Sequence, residues 1–235
     1  LGGAVGGITL DIRNTAFVNN RSFVEGGAIY INSVGYHTLY RCVFDGNIAS
    51  NSINATDDGG AILLGANGAL WLYDCAFTNN YAGGHGGAVY IDDLATRPDL
   101  VISNCTFAGN QAQLNGGALY VRDGTRLSLE QCDFIGNIAV DDEGGAIWLG
   151  NTVGGTALNM HHCTFAKNKC LGIAIADDGG ALYIISSNNH TIGNCTFYSN
   201  TTVAAGAGVL RVDDGQVYAT NCIFWQNNSG DGKIV

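Results

Sequence analysis

Acidic side chains that recur beside glycine pairs are the residues of this chain most able to do chemistry. Three clusters precede glycine pairs, at Asp57-Asp58, at Asp141-Asp142 followed by Glu143, and at Asp177-Asp178. Paired carboxylates together with backbone carbonyls could hold calcium. The clusters lack the fixed spacing of a dedicated calcium loop, so we interpret them as solvated turn residues and keep calcium as a weak alternative.

An enzyme active site is the second chemistry to consider, because paired carboxylates also hydrolyse polysaccharides. Such a site needs acid and base groups that converge on one face of the protein. The carboxylates of this chain instead recur with the glycine pairs, and no nucleophile motif accompanies any of the five histidines. We therefore predict a non-enzymatic protein without a cofactor, and a polysaccharide-active enzyme is the least favoured hypothesis.

Cysteines are the third reactive group, and seven of the eight lie two residues before a phenylalanine. If the copies stack as neighbouring strands, these residues lie about 4.8 Å apart. A disulfide accepts that spacing, but parallel Cβ vectors in register fit its torsion poorly, so we expect most thiols to be free and buried. Without Cys-x-x-Cys or His-x-x-x-His spacing, a metal site is less favoured still. Cys170 does not occupy the position two residues before a phenylalanine. It lies in an inserted segment and is a candidate reactive or bridging thiol.

Glycosylation sequons lie at Asn54, Asn104, Asn189, Asn194, Asn200 and Asn227. A modified sequon indicates a surface position in a secreted protein. Asn54 and Asn189 fall in longer loops and are the best candidates for modification, followed by Asn104 and Asn194. Asn200 and Asn227 occupy a repeated turn position, where we expect them to be buried and unmodified.

Two repeated elements position all of these residues. The first reads Gly-Gly-Ala, with clear copies at Gly26, Gly59, Gly86, Gly116, Gly144 and Gly179, a leading copy at Gly2 and a decayed copy at Ala207. The second reads Cys-x-Phe-x-x-Asn, with its phenylalanines at Phe17, Phe44, Phe77, Phe107, Phe134, Phe165, Phe197 and Phe224. Successive phenylalanines are 27 to 33 residues apart, which is the period of a solenoid.

Period-2 apolar patterns within each copy predict three short β-strands. Ile29 and Ile31 represent the inward places of a first strand, and Leu70 and Leu72 those of a second, while a third strand carries Cys and Phe. Leu72 and Cys75 are out of phase, so a bend separates them, at residue types that tolerate left-handed backbone angles. We predict an all-β, right-handed parallel β-helix of about eight coils, in which the asparagine after Phe forms an inward hydrogen-bonded ladder.

The middle place of the first strand points outward and is mostly aromatic. Its residues are Tyr30, Leu63, Tyr90, Tyr120, Trp148, Tyr183 and Arg211. An outward aromatic row is either a contact surface for a sugar or another chain, or a stack of rings under covering loops. We slightly favour the stack. If the row is instead a contact surface, its candidate residues are the five aromatic ones, Tyr30, Tyr90, Tyr120, Trp148 and Tyr183.

Composition and charge exclude two classes of partner. The net charge is −10 and no run of basic residues occurs, which argues against nucleic acid and against anionic membrane surfaces. The sequence contains no unbroken apolar stretch of about 18 residues, so it does not predict membrane insertion. The chain starts at Leu1 without a visible signal peptide, so we interpret residues 1–235 as one β-helix domain that is part of, or processed from, a longer chain.

Gly-Gly-Ala-Ile paired with Phe-x-x-Asn resembles the repeat signature of the chlamydial polymorphic outer membrane proteins. The resemblance covers essentially the whole chain. It implies an autotransporter passenger, which is a β-helix displayed outside the cell and used in adhesion.

Our leading hypothesis is therefore a non-enzymatic extracellular or cell-surface module whose partner is a host-cell surface or a glycan. The alternative is a self-assembling subunit of an extracellular fibre or sheath. A β-helix whose end coils lack polar caps can stack end to end, because each end presents unpaired strand edges.

Overall fold

The computed structural model describes residues 9–51, 57–65, 68–93, 99–123, 126–150, 156–173, 178–203 and 205–229. Every regular element in these ranges is a β-strand, and each of the five coils within residues 29–170 contains four strands in chain order. No helix that is long and apolar enough to cross a membrane occurs in the described part of the chain.

First strands follow the glycine pairs, and they span Ile29–Ile31, Ile62–Leu64, Val89–Asp93, Leu119–Asp123 and Ile147–Leu149. Second strands span Asp11–Arg13, Gly35–Tyr40, Gly68–Tyr73, Asp99–Ser103, Arg126–Glu130 and Ala157–His161. In the last two coils the first and second strands join into continuous strands, Leu182–Gly193 and Leu210–Thr220.

Third strands carry the phenylalanines, and they span Ala16–Val18, Val43–Asp45, Ala76–Thr78, Thr106–Ala108, Asp133–Ile135, Thr164–Ala166, Thr196–Tyr198 and Ile223–Trp225. The sequence did not predict the fourth strands, which contain only two residues each. They span Arg21–Ser22, Ile48–Ala49, Tyr81–Ala82, Gln111–Ala112, Ile138–Ala139, Lys169–Cys170 and Thr201–Thr202.

The strands form three parallel sheets that run the length of the array. First and second strands share a 13-stranded sheet, third strands form an 8-stranded sheet, and fourth strands form a 7-stranded sheet. The predicted β-helix is confirmed. About six turns are complete, slightly fewer than the eight predicted, because the first coil is described only from its second strand and the eighth ends in an isolated bridge at Asn228.

Stacked phenylalanines form the centre of the core. Neighbouring rings from Phe17 to Phe224 lie 4.7–5.1 Å apart between centroids and are nearly parallel. The six inner rings are fully buried. Inward residues of the first and second strands, such as Ile31 and Leu72, surround this stack as predicted.

An asparagine ladder runs beside the phenylalanines. Each asparagine Nδ2 donates to the Oδ1 of its equivalent in the next coil at 2.8–3.0 Å, from Asn20 to Asn227. The same Nδ2 donates to a phenylalanine carbonyl of the preceding coil, as from Asn137 to Phe107 at 2.9 Å. The predicted ladder is confirmed, and it satisfies amides that burial would otherwise leave without partners.

In each of the six described Gly-Gly-Ala copies, the two glycines are required for different reasons. The first glycine adopts a left-handed backbone, as Gly116 does with φ of +67°. The second lies against the next coil, since a Cβ on Gly117 would lie 2.2 Å from the carbonyl oxygen of Gly145. The predicted bends are also left-handed, with φ of 54° at Asp74 and 52° at Asn104.

The described cysteines form no disulfide, and all but Cys222 are buried, as expected for most of them. The prediction for Cys170 is wrong. It lies in a fourth strand in register with Ala139 rather than in an insertion. Its side chain is buried and its Sγ donates to the carbonyl of Asp142 at 2.8 Å, so it is a core residue and not an accessible thiol.

Candidate functional site

The aromatic row predicted on the first strands exists in register along the sheet. Ring centroids lie 5.0 Å apart between Tyr90 and Tyr120, and 4.3 Å apart between Tyr120 and Trp148. Tyr90, Tyr120 and Tyr183 nevertheless expose only 6%, 8% and 6% of their surface. At these three residues the row is therefore largely buried, in line with the slightly favoured alternative of a covered stack. Tyr30 and Trp148 are partly exposed, and a contact role for them stays a prediction.

Ring stacking and a neighbouring polar row cover this aromatic row. The His85 ring packs on Tyr120 with centroids 4.6 Å apart. The Trp148 Nε1 donates to Glu143 at 3.1 Å. The covered rings thus belong to the packing of the protein.

That polar row consists of the residues that directly precede the glycine pairs, and we call it the pre-glycine ladder. Its described hydrogen bonds join Asp58, His85, Asn115 and Glu143. The Asp58 Oδ1 accepts from the His85 backbone N–H at 2.6 Å, and the Asn115 Oδ1 accepts from that of Glu143 at 2.7 Å. Between them, the His85 Nδ1 accepts from the Asn115 backbone N–H at 3.3 Å, which requires an unprotonated Nδ1.

Burial shifts the ionisation of this ladder. It raises the pKa of Asp58 to about 7, and the negative charges of Glu25, Asp92 and Asp57 act in the same direction. It lowers the pKa of His85 to about 4, aided by the positive charge of Arg122. The negative charges of carboxylates from neighbouring coils therefore contribute to the raised pKa of Asp58.

The weak calcium candidates do not come together in the structure. The Asp57 Oδ2 accepts from the Asn51 backbone N–H at 2.7 Å. The Asp141 carboxylate accepts from Gln113, that of Asp142 from Asn115, and that of Asp178 pairs with Arg211. Asp177 lies outside the described residues. No group of three or more His, Cys, Asp or Glu side chains that could hold a metal ion occurs in the described ranges, so the calcium hypothesis gains no support.

The predicted glycosylation sites lie in three environments. Asn104 and Asn194 are exposed in left-handed bends. Asn189 is also exposed, but it lies within the continuous strand Leu182–Gly193 rather than in a loop. Asn54 lies outside the described residues. Asn200 and Asn227 are buried in the asparagine ladder, as predicted.

A groove lies on the outer face of the second strands. It encloses about 360 Å³. It is lined by outward residues of four consecutive coils and by the backbone between them, at Asp99, Val101, Arg126, Leu127, Ser128, Ala157, Leu158, Asn159, Asn189 and Thr191. Sequence reasoning missed it, although the signal was available in the outward, non-apolar places of the second strands.

Parallel pairing arranges the groove residues in rows along the helix axis. Val101, Ser128, Asn159 and Thr191 are direct neighbours in successive coils. Trp71 continues this row beyond Val101. The row therefore offers one side chain per coil, at a spacing of about 4.8 Å.

An aromatic pair lies at one end of these rows. The Trp71 ring contacts Tyr36 with centroids 5.2 Å apart, and the Tyr36 side chain is 63% exposed. Trp71 itself is partly exposed. The face thus combines an aromatic platform with hydroxyl and amide groups.

The charges of the groove come from Asp99 and Arg126, which are in-register neighbours. Both side chains are exposed, and Arg126 makes no hydrogen bond or ion pair within the described part of the chain. Asp99 is the only carboxylate among the described residues that line the groove. The groove can therefore donate and accept hydrogen bonds, and its described lining residues include one carboxylate, whereas a glycoside hydrolase uses two.

A family model described as a right handed beta helix region matches residues 3–156. The match covers about two thirds of the 235 residues. The chain belongs to the right handed beta helix family. No curated protein and no solved structure matches it.

Membership of the right handed beta helix family agrees with the parallel sheets and stacked coils of the structure. The match supports the β-helix part of the sequence resemblance and contains nothing specific to chlamydial repeats. Right-handed β-helices are compatible with enzymatic and with non-enzymatic roles. Function must therefore be argued from the site and not from the fold.

Proposed function

We propose that this β-helix is a non-enzymatic extracellular surface module that binds an extended glycan along the groove of its second strands. The observation that carries the proposal is the groove itself, which crosses four coils. Its volume of about 360 Å³ lies at the small end of the range of ligand pockets, and suits a short stretch of sugar chain.

The spacing of the groove suits a repeating ligand. Ser128, Asn159 and Thr191 present a hydroxyl, an amide and a hydroxyl in successive coils. One coil rises about 4.8 Å, which is close to the length of one sugar unit. A glycan lying along the helix axis would meet one polar side chain per unit, and its hydroxyls can donate to and accept from these groups.

The aromatic pair supports the same ligand. Sugar rings have apolar faces, and the Tyr36 and Trp71 rings, tilted by 45° to each other, offer apolar surface beyond the Val101 end of the groove. The net charge of −10 disfavours a polyanionic glycan, so a neutral one is the better ligand.

Two further observations support binding without catalysis and a position outside the cell. Asp99 has no second carboxylate beside it among the described groove residues, whereas hydrolysis of a glycoside uses two. The resemblance of the Gly-Gly-Ala and Phe-x-x-Asn repeats to chlamydial surface proteins supports display and adhesion.

Glycan-array binding of the purified protein tests this function. We expect selective binding of neutral oligosaccharides. The affinity should fall at least tenfold in Asn159→Ala and in Arg126→Ala. Lys169→Ala is the matched control, because Lys169 is exposed on the fourth strands, away from the groove. Absence of any glycan binding, or equal loss in the control, would contradict the proposal. Release of reducing ends from a bound glycan would show an enzyme instead.

End-to-end self-assembly is a second candidate, supported by exposed apolar side chains in both end coils and by the direction of the asparagine ladder. Ile223 and Trp225 in the last described coil are 59% and 60% exposed. Val18 in the first described third strand is 49% exposed. The asparagine ladder has a direction, so a second copy in line would pair the donors of Asn227 with the Oδ1 of Asn20.

Negative-stain electron microscopy at several protein concentrations tests assembly. Uniform filaments that disappear in Trp225→Lys would support it. Isolated short rods at every concentration would contradict it, and this result would leave the glycan proposal to its own test.

A further inference from the structure

A buried histidine, His190, joins two neighbouring coils through both of its ring nitrogens. Its side chain is 0% exposed. The Nδ1 accepts a hydrogen bond from the backbone N–H of Leu158, in the preceding coil, at 3.2 Å. The Nε2 lies 3.3 Å from the carbonyl oxygen of Ser186, four residues earlier in the chain. We call these two contacts of one ring the histidine staple.

The histidine staple requires a neutral imidazole. Because Nδ1 accepts from the Leu158 N–H, the ring hydrogen lies on Nε2, which donates to the Ser186 carbonyl. A protonated ring carries a hydrogen on both nitrogens and cannot accept from Leu158. Burial lowers the pKa of His190, while the Ser186 carbonyl acts in the opposite direction. The staple is therefore complete at neutral pH and is lost as the pH falls through the lowered pKa of the folded protein.

The same staple recurs at His37, which is also 0% exposed. The His37 Nδ1 accepts from the backbone N–H of Leu10 at 3.2 Å. Its Nε2 lies 3.0 Å from the carbonyl oxygen of Ser33, again four residues earlier. Two copies with the same Ser-x-x-x-His spacing and the same partners show that the staple is a repeated element of this fold.

The two staples differ in what lies on the outer surface beside them. In the strand of His190, the adjacent residues Asn189 and Thr191 are exposed, and both line the proposed glycan groove. Leu158, whose N–H the ring holds, lines the groove as well. The staple at His190 therefore fixes the two coils that form this part of the groove.

Titratable side chains on the elements around His190 have partners of their own. In the preceding strand, His161 contacts the Asn159 Oδ1 at 2.9 Å. In the following strand, Val217 is the in-register neighbour of His190. The other titratable groups of these strands and of the bends after them bond elsewhere, and they are Tyr183, Arg211, Asp213, Asp214, Tyr218, Cys163, Cys195 and Cys222.

We propose that His190 is a positioning residue of the glycan groove, and that its neutral imidazole holds Leu158, Asn189 and Thr191 in the arrangement that binds the glycan. This inference rests on the proposed function. Protonation removes the acceptor of the buried Leu158 N–H and places two N–H donors against each other, which favours separation of the two coils. The fraction of molecules with an intact groove then falls, and the apparent affinity falls in proportion. The protein thus binds the glycan at neutral pH and releases it in acid.

NMR titration of the free protein between pH 7 and pH 4.5 tests the positioning role without a glycan. We expect the ring nitrogens of His190 and the backbone amides of Asn159 and Thr191 to change with one common midpoint, while the Leu158 amide loses its protection from hydrogen exchange. His190→Asn should abolish the response of the groove amides, because the asparagine Oδ1 can accept from Leu158 but does not titrate. His37→Asn is the matched control, since it removes the other staple, and should leave the response of the groove amides unchanged.

Binding of fluorescently labelled cellohexaose, a neutral and extended chain of glucose units, tests the consequence for the glycan. We expect the affinity of the native protein to fall about fivefold or more between pH 7 and pH 4.5. In His190→Asn the affinity should change by less than about twofold over the same range. This variant retains Asp99, so a loss of pH dependence cannot come from the carboxylate of the groove.

Three results would overturn the proposal. These are groove amides that do not share the midpoint of His190, an equal loss of their response in His37→Asn, or the same fall in affinity in His190→Asn as in the native protein. Absence of cellohexaose binding at every pH, with groove amides that follow His190, would instead count against the proposed function and leave the positioning role supported. Far-UV circular dichroism at each pH must show that the protein stays folded. If His190→Asn does not fold, the common midpoint in the native protein decides.

Discussion

The Asp58 Oδ1 accepts a hydrogen bond from the His85 backbone N–H at 2.6 Å, while the His85 Nδ1 accepts one from the next coil. The same ladder thus holds a carboxyl whose pKa is raised to about 7 and an imidazole whose pKa is lowered to about 4. Their effects on stability oppose each other across the acidic range of pH.

Asp58→Asn should make the protein more stable at pH 8. The folded-state pKa is raised above the ordinary value of 3.8, so the folded protein binds the proton more tightly and loses stability as pH rises from about 4 through about 7. Each pKa unit corresponds to about 1.4 kcal/mol, which makes about 4 kcal/mol an upper limit for the gain. The amide oxygen can still accept from His85. Urea unfolding at pH 5 and pH 8 measures the gain.

Asp141→Asn is the control for that experiment, because its carboxylate lies on the surface and accepts from Gln113. We expect it to change stability by less than about 0.5 kcal/mol at either pH. A loss of stability in Asp58→Asn that is the same at pH 5 and pH 8 would show that ionisation of Asp58 is not the cause.

His85→Asn should reduce the acid sensitivity of the protein. Because the folded-state pKa of His85 is lowered from 6.5 to about 4, the unfolded chain binds more protons, and stability falls as pH drops through that window. The loss reaches at most about 3 kcal/mol. Asparagine already occupies the equivalent place at Asn115, where its Oδ1 accepts the ladder hydrogen bond. Urea midpoints at pH 7 and pH 4.5 should therefore differ less in the variant than in the parent protein.

Asn137→Ala should destabilise the protein strongly. Its Nδ2 donates to Asn168 and to the Phe107 carbonyl, and its Oδ1 accepts from Asn110, all in a fully buried place. Leaving such partners unsatisfied costs about 1–3 kcal/mol for each group. Asn20→Ala, at the exposed first rung, should cost less than about 1 kcal/mol. Similar unfolding midpoints for the two variants would contradict the role of the inner ladder.

Gly117→Ala should be far more damaging than Gly136→Ala. The added methyl group at residue 117 would lie 2.2 Å from the Gly145 carbonyl oxygen, so two coils would have to separate. At Gly136 the φ of +63° strains any side chain, but nothing lies within 4 Å of an added Cβ. We expect a loss of about 3 kcal/mol or more for the first change, and of about 1 kcal/mol for the second. Thermal melts followed by circular dichroism compare them.

The parts of the fold that repeat were predictable from sequence because equivalent residues of a β-helix are neighbours in space. Phe107 and Phe134 are 27 positions apart and stack at 4.8 Å. The inward residues, the left-handed bends and the asparagine ladder follow from the same rule, since each of these features recurs from coil to coil. The fourth strands escaped prediction because two residues are too few to show a period of two.

The candidate site was less predictable, because exposure depends on what the rest of the chain covers. Tyr120 occupies an outward place, yet a stacked ring on either side and His85 bury it. The sequence predicts that Cys170 lies in an insertion, whereas the strand pairing places it in the core beside Ala139.

By itself, the sequence determined the period, the inward face and the hydrogen-bonding ladders of this protein, since each of these depends on one residue type recurring once per coil. Only the tertiary structure decided where an outward side chain meets solvent and which rows form the groove. It also decided how far burial shifts the pKa values of Asp58 and His85. Those properties depend on the positions of non-equivalent residues in neighbouring coils and on the local exclusion of water, which no single repeat encodes.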